Sequence, residues 1–439
     1  MAFYLSGIRV PHRKSTKNKS AVRIDTPANV AIPTSMHIGK PANPIVKVGD
    51  TVKVGTKIAE AVGVVSVPVH SSVSGTVKAI EERLLSNGFK CPVIIIESDG
   101  EMTVDENITA PTPDTKEGFI EAVKESGIVG LGGAGFPTHI KLNMDADNID
   151  YLIINGAECE PYVTSDTHTM LTRTADMRKG LEALVKFLGV KKAIIGIESN
   201  NKEAVESMKN FAGEAIECCD ISVKVLPSVY PQGGEKVLIY HTTGRLVPEG
   251  KLPRDVGCIV LNCTTLAALG SYFETGMPLV EKVISVDGGA VAEPKLVSVP
   301  VGVSLKDVFD FCGGFKEEPT KVIYGGPMMG ITVPGTDESV LKNTNAILAL
   351  SEKEARLPKT TACIRCGACI NTCPFKLAPA AISRAFDNKD TDMLEKLQVN
   401  LCMECGCCSF VCPANRPLVQ KNKLSKALLR EVKAKEETK

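Results

Sequence analysis

The chain contains no tryptophan, and aromatic residues together make up only 5% of its 439 residues. It has no excess of either charge, because 51 Lys and Arg residues balance 51 Asp and Glu residues. This balance gives no bulk attraction to nucleic acid or to an anionic membrane, so we expect no nucleic-acid partner. No stretch approaches the roughly 18 consecutive apolar residues that would span a bilayer.

The first twenty residues, MAFYLSGIRVPHRKSTKNKS, lack an apolar core of the length that a secretory signal peptide needs. We therefore expect a chain on the reducing, cytoplasmic side, where thiols stay reduced, and either soluble or peripheral to a membrane. Its length predicts about three domains.

Cysteine, in contrast, is abundant, and eight of the 16 cysteines form two matched runs near the C-terminus. Both runs have the spacing C-x2-C-x2-C-x3-C-P, which is typical of bacterial ferredoxins with two [4Fe–4S] clusters. In those proteins the fourth cysteine of each run binds the other cluster. The predicted ligand sets are Cys363, Cys366 and Cys369 with Cys412, and Cys402, Cys405 and Cys408 with Cys373.

Zinc is the main alternative for these runs, because structural zinc sites also use C-x2-C pairs. The third cysteine at the same spacing and the repeat of the whole pattern favour iron–sulfur clusters. A disulfide framework does not fit a long chain without a secretory signal. Cys407, next to Cys408, is interpreted as a spare buried thiol, with a competing cluster ligand as the alternative.

Residues 29–80 have the pattern of a small β-barrel or sandwich, because apolar stretches at 44–48, 51–54 and 62–69 alternate with glycine-containing turns. The phrase VKVGDTVKVGTKIAE resembles the barrel-sandwich hammerhead of biotinyl and lipoyl domains. Such carrier domains have a lysine at an exposed hairpin tip, where this chain has Val-His-Ser at 69–71. We expect a relative without a swinging arm and interpret His70 as a surface residue, with a ligand or proton carrier as the alternative.

A linker, APTPDTK at 110–116, precedes a region in which apolar strands alternate with amphipathic helices. This alternation favours a largely parallel sheet. Strands are predicted at 151–155, 192–198, 223–227 and 257–262, and helices at 117–126, 168–188 and 201–212.

Residues 280–350 predict a small α+β domain of β-grasp type, with two or three strands, one helix and another strand. Around the cysteine runs, helices are predicted at 378–386 and 392–399. A basic helix at about 417–435 is interpreted as a solvated helix face, with contact to a membrane or an acidic partner as the alternative.

A glycine-rich loop, GIVGLGGAGFPTHIKL at 127–142, also indicates a cofactor. Gly130, Gly132 and Gly135 satisfy the pattern G-x-G-x-x-G, but a Rossmann fingerprint follows a strand and this loop follows a predicted helix. Glycines nonetheless let backbone N–H groups approach a phosphate or a flat cofactor. A purely structural turn is the alternative.

Four segments, in the same order, resemble the NADH- and flavin-binding subunit of respiratory complex I. They are the glycine loop, NGAECEP at 155–161, YPQGGE at 230–235 and NCTTLA at 262–267. The resemblance implies that Asn155 and Glu158 line FMN and that Glu160 helps to hold NAD(H). The full set of cofactor-binding residues that it implies is Gly130, Gly132, Gly133, Lys141, Asn155, Glu158, Glu160, Gly233, Gly234, Glu235, Asn262 and Thr265.

The chain departs from the complex I pattern at two positions, where Ala157 and Gly234 replace acidic residues. The alternatives to binding roles are a surface lysine for Lys141 and a solvated loop for Glu158 and Glu160.

Across nearly its full length, the order of modules resembles the C subunit of the Rnf-type ion-translocating electron-transport complexes. This resemblance implies a multidomain α/β chain that ends in an α-helical two-[4Fe–4S] domain. The predicted domains are a barrel-sandwich-like β domain at 1–110, an FMN/NADH-binding α/β domain at 117–275, a β-grasp (SLBB-type) domain at 278–350 and a ferredoxin-like domain at 356–439.

The same resemblance implies an electron-transfer subunit of a membrane-bound ferredoxin:NAD oxidoreductase that couples electron flow to Na+ or H+ translocation. NADH gives two electrons together and clusters accept one at a time, so FMN is expected between them. The expected partners are an iron–sulfur subunit and membrane subunits, with ferredoxin as an indirect partner. The chain would lie at the cytoplasmic face of the bacterial membrane, held by those subunits.

Two other functions use the same modules. One is a soluble NADH-dependent corrinoid reductase, which rapid corrinoid reduction by the isolated chain would indicate. The other is a non-catalytic electron-relay subunit, which the absence of flavin and the failure of NADH to reduce the clusters would indicate.

Overall fold

The computed structural model of the chain describes residues 5–145 and 148–437. Residues 1–4 and 438–439, at the ends of the first and last predicted domains, lie outside the described residues. Residues 1–4 also begin the N-terminal stretch 1–20, in which no signal peptide is predicted. The described residues form four sheets, most of the helices pack against them, and a helical module follows the last sheet.

Two small sheets form the N-terminal β region and share an apolar core that includes Ile32, Ile58 and Ile94. The first sheet, in the order β2-β8-β7-β4, consists of β2 (Asn29–Pro33), β4 (Thr51–Val52), β7 (Gly75–Leu84) and β8 (Lys90–Ser98). The second, in the order β3-β5-β6, consists of β3 (Asn43–Pro44), β5 (Lys57–Glu60) and β6 (Val69–His70). The all-β prediction is confirmed, although the apolar stretch 62–69 becomes a strand only at its last residue.

His70 is buried, so the interpretation of this side chain as a surface residue at a hairpin tip is wrong. It lies near the fully buried Lys342, whose Nζ donates to the carbonyl oxygens of Pro68 and Gly127 at 2.8 Å each. Burial, followed by the nearby charge of Lys342, lowers the pKa of His70. The tip is buried because Lys342 joins the β region to two later parts of the chain, a contact that no local pattern reveals.

A four-stranded parallel sheet, in the order β11-β10-β9-β12, forms the centre of the α/β region and confirms the predicted topology. Its inner strands are apolar along their length because helices cover both faces. The strands are β9 (Tyr151–Gly156), β10 (Lys192–Glu198), β11 (Asp220–Leu226) and β12 (Cys258–Asn262). The helices are α1 (Lys116–Glu125), α2 (Thr138–Leu142), α3 (Ser165–Thr172), α4 (Thr174–Leu188), α5 (Lys202–Gly213), α6 (Glu235–Thr243) and α7 (Cys263–Thr275).

The single helix predicted at 168–188 is two helices, α3 and α4. The break falls at Arg173, whose φ of −122° and ψ of 33° are not helical. Its Nε donates to Asp176 Oδ2 at 2.6 Å in the first turn of α4. Apolar residues continue at helical spacing on both sides of the break, so the periodicity could not locate it.

A six-stranded sheet in the order β1-β14-β13-β17-β15-β16 forms the β-grasp region. Its strands are β1 (Ala21–Arg23), β13 (Glu281–Asp287), β14 (Lys295–Pro300), β15 (Lys321–Tyr324), β16 (Ile331–Val333) and β17 (Ala346–Leu350), with helices α8 (Leu305–Phe311) and α9 (Glu352–Ala355). Five strands follow residue 280, one more than the largest number predicted. β1 comes from within the predicted first domain and pairs in parallel with β14.

The C-terminal module consists of α10 (Ala368–Thr372), α11 (Pro379–Asp387), α12 (Thr391–Lys396), α13 (Cys407–Phe410) and α14 (Leu418–Glu437). The three predicted helices are confirmed as α11, α12 and α14. One side of α14 is buried through Leu418, Asn422, Ser425 and Leu429, so this helix is solvated on its other side only. Within the described ranges, no helix is both long and apolar enough to cross a membrane.

Candidate functional site

The predicted flavin residues lie where the parallel sheet meets the glycine loop. Asn155 and Asn262 lie at the ends of the adjacent parallel strands β9 and β12 and are partners in register. Open α/β sheets bind ligands at this carboxyl end of their strands. The N–H of Leu131 donates to Thr265 Oγ1 at 2.9 Å, which holds the glycine loop over the start of α7.

The conformation of the glycine loop leaves backbone donors available. Gly133 has a φ of +121°, which favours glycine, and a Cβ added there would meet no atom within 4 Å. Asn343 Nδ2 donates to the carbonyl of Gly133 at 2.7 Å, and the N–H of Ile38 donates to the carbonyl of Gly135 at 3.0 Å. Among the described residues, the N–H groups of Gly132 and Gly133 have no acceptor. The loop therefore fits an anionic phosphate or the flat ring of a flavin.

Asn262 is held from two sides. Its Oδ1 caps α7 by accepting from the N–H groups of Thr264 and Thr265 at 3.0 and 3.1 Å. Its Nδ2 donates to Asp166 Oδ2 at 2.7 Å, and the other oxygen of Asp166 accepts from Thr264 Oγ1 at 2.7 Å. Asp166 therefore fixes the orientation of the Asn262 amide.

Lys141 is half-buried and its ammonium is paired, which favours a binding role over the alternative of a surface lysine. Its Nζ donates to Glu235 Oε1 at 2.6 Å and to the carbonyl of Val260 at 3.0 Å. Glu235 is the first residue of α6. The structure thus brings two residues of the predicted set together and holds a cation at the edge of the sheet, which fits an anionic cofactor.

The segments 155–161 and 230–235 are also in contact. Asn155 Nδ2 donates to the carbonyl of Gly233 at 2.9 Å, and Asn155 Oδ1 accepts from the N–H of Ala157 at 3.1 Å. A Cβ at Gly233 would collide with the carbonyl oxygen of Ala157, so this position requires glycine. Gly234 faces the methyl group of Met403, which lies within the second cysteine run.

Glu158 is buried at the start of α3, so the alternative of a solvated loop is wrong for this residue. Its carboxylate accepts from the N–H of Asp166 and from Thr167 Oγ1 at 2.8 Å each. Lys14 Nζ lies 3.5 Å from Glu158 Oε2. Burial raises the pKa of Glu158, and the Lys14 ammonium opposes this effect.

Glu160 is half-buried, and its carboxylate contacts the β-grasp region. Its carboxylate accepts from the N–H groups of Met328 and Met329 at 3.0 and 2.9 Å, between β15 and β16. Burial raises the pKa of Glu160 to about 7, against the effect of these two hydrogen bonds. This carboxylate therefore binds the β-grasp region in the present conformation.

The structure gathers Cys363, Cys366, Cys369 and Cys412 around one cavity of about 510 Å³. Cys363 and Cys366 are exposed. Burial raises the pKa of Cys369, and the nearby Cys412 adds to this effect. The fourth cysteine of the second run thus lies with the first three of the first run.

The remaining four predicted ligands also lie together. Burial raises the pKa of Cys373, and the neighbouring thiols of Cys405 and Cys402 raise it further. Burial and the neighbouring Cys402, Cys405 and Cys373 likewise raise the pKa of Cys408. Asn422 Nδ2, on α14, donates to Cys402 Sγ at 3.4 Å. Among the described residues, no three His, Cys, Asp or Glu side chains are placed to hold a single metal ion.

The second cysteine run is packed against the flavin half of the chain. Tyr230 Oη donates to the carbonyl oxygen of Cys405 at 2.6 Å. Cys407, which is 1% exposed, donates its thiol to the carbonyl oxygen of Tyr230 at 3.9 Å. Met403 and Ile8 complete an apolar contact around them. The segment 230–235 therefore belongs to both candidate sites.

Three residues of the site were absent from the predicted set. Asp166 has a local signal, since it is an acid in the first turn of a helix. Lys14 and Asn343 have none, because each reaches the site from a distant part of the chain.

Four family models match the chain, and their order is the predicted one. They are the RnfC barrel sandwich hybrid domain at 3–101, the Nuo51 FMN-binding domain at 123–271, the SLBB domain at 283–332 and the 4Fe-4S dicluster domain at 362–416. These matches confirm the predicted fold class.

Curated relatives match over most of the chain. The C subunit of a Na(+)-translocating ferredoxin:NAD(+) oxidoreductase complex from Acetobacterium woodii is 41% identical, over 91% of this chain and 90% of the relative. The C subunit of a proton-translocating ferredoxin:NAD(+) oxidoreductase complex from Clostridium ljungdahlii is 42% identical, over 89% and 85%. The C subunit of an ion-translocating oxidoreductase complex from Rhodobacter capsulatus is 37% identical, over 96% and 82%.

The chain belongs to the RnfC family, the C subunits of ion-translocating oxidoreductase complexes. This RnfC chain has an FMN-binding domain and a 4Fe-4S dicluster domain, which makes it an electron-transfer subunit, as predicted. Its fold is similar to that of a chain in the crystal structure of NAD+-reducing [NiFe]-hydrogenase in the H2-reduced state. That chain has a TM-score of 0.50 and 19% identity, and the match covers 72% of this RnfC chain and 61% of the hydrogenase chain.

Proposed function

We propose that this chain exchanges electrons between NAD(H) and ferredoxin-linked partner subunits, in a complex that moves Na+ or H+ across a membrane. The names of the relatives from Acetobacterium woodii and Clostridium ljungdahlii support this substrate pair and both ions. The observation that carries the proposal is the hydrogen bond from Tyr230 to Cys405, because it joins the flavin segment to a cysteine run within one polypeptide.

In this proposal FMN lies at the carboxyl ends of β9 and β12. Gly132 and Gly133 supply free backbone N–H groups, and Lys141 supplies a positive charge. Asn155 and Asn262 orient the bound ring or phosphate through amides that the protein already holds in place. When bound, a flavin accepts two electrons together and releases them singly.

The proposed cluster ligands are Cys363, Cys366 and Cys369 with Cys412, and Cys402, Cys405 and Cys408 with Cys373. Their common cavity supports the first set, and the mutual proximity of the thiols supports the second. When bound, [4Fe–4S] clusters carry single electrons. The chain's own groups shape these sites: Asn422 donates to Cys402 Sγ, and hydrogen bonds to sulfur raise cluster potentials.

The two sets of cysteines differ in position, and this difference indicates the order in which electrons pass through the two clusters. In the set completed by Cys373, Cys405 and Cys408 are buried and Cys373 and Cys402 are half-buried, and Cys405 packs beside Tyr230 and Met403, next to the flavin segment. The set completed by Cys412 borders an exposed cavity. We assign the first of these as the inner site and the second as the outer site, through which partner subunits exchange electrons. The partners are an iron–sulfur subunit and membrane subunits, with ferredoxin further along, and they hold the chain at the cytoplasmic face of the membrane.

The order of electron transfer is tested by replacing one cysteine ligand at a time and purifying each variant anaerobically. In Cys412→Ser, NADH is expected to reduce the inner cluster at the wild-type rate. In Cys373→Ser, NADH is expected to reduce the remaining outer cluster at least about tenfold more slowly. Dithionite reduction establishes that the remaining cluster is present in each variant.

If NADH reduces the outer cluster of Cys373→Ser at the wild-type rate, the proposed order of electron transfer is wrong. A corrinoid acceptor added to the wild-type chain distinguishes the soluble reductase: corrinoid reduction as fast as reduction of the clusters would contradict the proposed function.

A further inference from the structure

The outer cavity lies in a part of the chain with an unusual charge distribution. The whole sequence has equal numbers of acidic and basic residues. Residues 355–386, however, contain five Lys and Arg residues and no Asp or Glu, and residues 405–430 contain five more and again no Asp or Glu. All the proposed cluster ligands except Cys402 lie within these two stretches. The module that carries the proposed clusters therefore has an excess of positive charge, as does the N-terminal stretch 9–23.

Three of these cations converge on the outer cavity itself. Arg365, Arg384 and Arg416 line it together with the four cysteines, and no Asp or Glu lines it. None of the three arginines forms an ion pair with any residue that the structure describes. Arg365 and Arg384 are exposed, and Ile364 between Cys363 and Arg365 is 67% exposed. The cavity thus combines free positive charge, an apolar side chain and two exposed cysteine ligands.

The neighbouring acidic residues do not neutralise this surface. Asp387 pairs with Lys421, and Glu404 pairs with Lys426 at 2.6 Å, and both lysines are on α14. These two acids lie just outside the stretches that lack acidic residues, and the lysines that engage them do not line the cavity. The three arginines therefore have no acidic partner in the part of the chain that the structure describes.

We propose that this outer cavity is the docking surface for an acidic one-electron carrier protein, which binds over Cys363 and Cys366 through Arg365, Arg384 and Arg416. The inference rests on the proposed function, since it requires a cluster at this cavity. Charge complementarity selects the partner: opposite charges around an exposed redox site raise the association rate and orient the encounter. Arginine suits this use because its planar guanidinium binds carboxylates with two parallel hydrogen bonds.

The structure favours a protein over an anionic membrane as the occupant. An interfacial helix needs an apolar face that enters the bilayer. Most apolar residues of α14, such as Leu418 and Leu429, are instead buried against the module, and Leu424 is an isolated exposed leucine.

The test measures electron transfer from the pre-reduced holo chain to an oxidised acidic ferredoxin, which serves as a probe for an acidic one-electron carrier, by stopped flow from about 10 mM to about 500 mM salt. The chain is reduced with one equivalent of dithionite, so the result does not depend on NADH. The double variant Arg365→Glu/Arg384→Glu is compared with Lys209→Glu/Arg254→Glu, which changes the net charge equally at exposed positions away from the cavity. Iron content and the dithionite-reduced spectrum verify that both variants carry their clusters.

For the wild-type chain and the control we expect a rate that falls at least about tenfold as salt rises. For the cavity variant we expect a rate at least about tenfold lower at low salt and little decrease with salt, while transfer to a neutral quinone is unchanged. Equal rates for the two double variants would overturn the proposal. If the cavity variant no longer binds vesicles of phosphatidylserine and phosphatidylcholine but transfers electrons to ferredoxin at the wild-type rate, the cavity binds a lipid surface and the proposal is wrong. Reduction of the clusters by NADH, measured separately on each variant, reports on the proposed function alone.

Discussion

The phenolic hydroxyl of Tyr230 donates to the main-chain carbonyl oxygen of Cys405 at 2.6 Å, although the two residues are 175 positions apart. Tyr230 belongs to a segment that contacts Asn155 through Gly233, and Cys405 belongs to the inner cluster set. The carbonyl oxygen of the same tyrosine accepts from the thiol of Cys407 at 3.9 Å. The flavin region and the cysteine module are thus fixed against one another by a buried polar contact.

Tyr230→Phe removes only the hydroxyl of this contact. The carbonyl of Cys405 then loses its buried partner, so we expect a loss of about 1–2 kcal/mol in stability. We also expect slower reduction of the clusters by NADH, with FMN content unchanged. Stopped-flow absorbance and thermal unfolding measure both effects. Tyr240→Phe is the matched control, since no hydrogen bond of its hydroxyl is present in the described part of the structure. If Tyr230→Phe and Tyr240→Phe have the same stability and the same rate of cluster reduction, the hydroxyl of Tyr230 does not make this contact.

Cys373→Ser tests the exchange of ligands between the runs. We expect the iron content to fall from about eight to about four Fe per chain. The cluster that remains should be the one held by Cys363, Cys366, Cys369 and Cys412, and its electron paramagnetic resonance signal should match that of Cys402→Ser. The control is Cys407→Ser, which should keep about eight Fe because Cys407 is predicted to be a spare thiol. A Cys373→Ser spectrum that matches Cys363→Ser instead would show that each run holds its own cluster.

Lys141→Ala tests the flavin site. The substitution removes a positive charge and leaves Glu235 without its partner, so an anionic cofactor should bind at least about tenfold more weakly. FMN retained per chain after gel filtration, and the dissociation constant from flavin fluorescence, measure this. Lys179→Ala on α4 is the control, and it should retain FMN at the wild-type level. Unchanged FMN occupancy in Lys141→Ala would exclude Lys141 from the site.

The buried carboxyl of Glu198 should make the stability of the chain depend on pH. Burial raises its pKa to about 7, with a further contribution from Glu158, and Lys14 opposes both. A carboxyl whose folded pKa exceeds its unfolded value contributes stability that is complete below the unfolded pKa, about 4.3, and is lost as pH rises through about 7. Stability should therefore fall between about pH 5 and about pH 8.

Glu198→Gln keeps the shape of this side chain and removes its titration. We expect it to raise the free energy of unfolding by about 1–3 kcal/mol at pH 8 and to change it little at pH 5. Thermal unfolding at the two pH values measures the difference, and Glu203→Gln on the exposed surface of α5 serves as the control. If the free energy of unfolding of Glu198→Gln depends on pH as that of the wild-type chain does, the raised pKa belongs to another group.

The sequence predicts local structure well where local patterns determine it. The continuous apolar runs of β9, β10 and β12 indicate a buried parallel sheet, and the cysteine spacing indicates which thiols converge. The break at Arg173 escapes such reasoning, because apolar residues continue at helical spacing across it.

Contacts between distant segments are the second part that the sequence does not reveal. The hairpin pattern predicts a solvated His70, yet Lys342 packs near it from 272 positions away. The complex I resemblance groups Glu160 with the cofactor residues, but its carboxylate meets the N–H groups of Met328 and Met329. In each case the decisive partner lies in a turn between strands of the β-grasp region, and its position depends on packing between domains.

The central claim is that a donor of paired electrons feeds single-electron carriers within this one polypeptide. A metal and flavin analysis of freshly purified, strictly anoxic chain, followed by titration with NADH, tests it most directly. We predict about eight Fe and about one FMN per chain, with bleaching of the cluster absorbance at substoichiometric NADH. Zinc in place of iron, or clusters that dithionite reduces and NADH does not, would contradict the account.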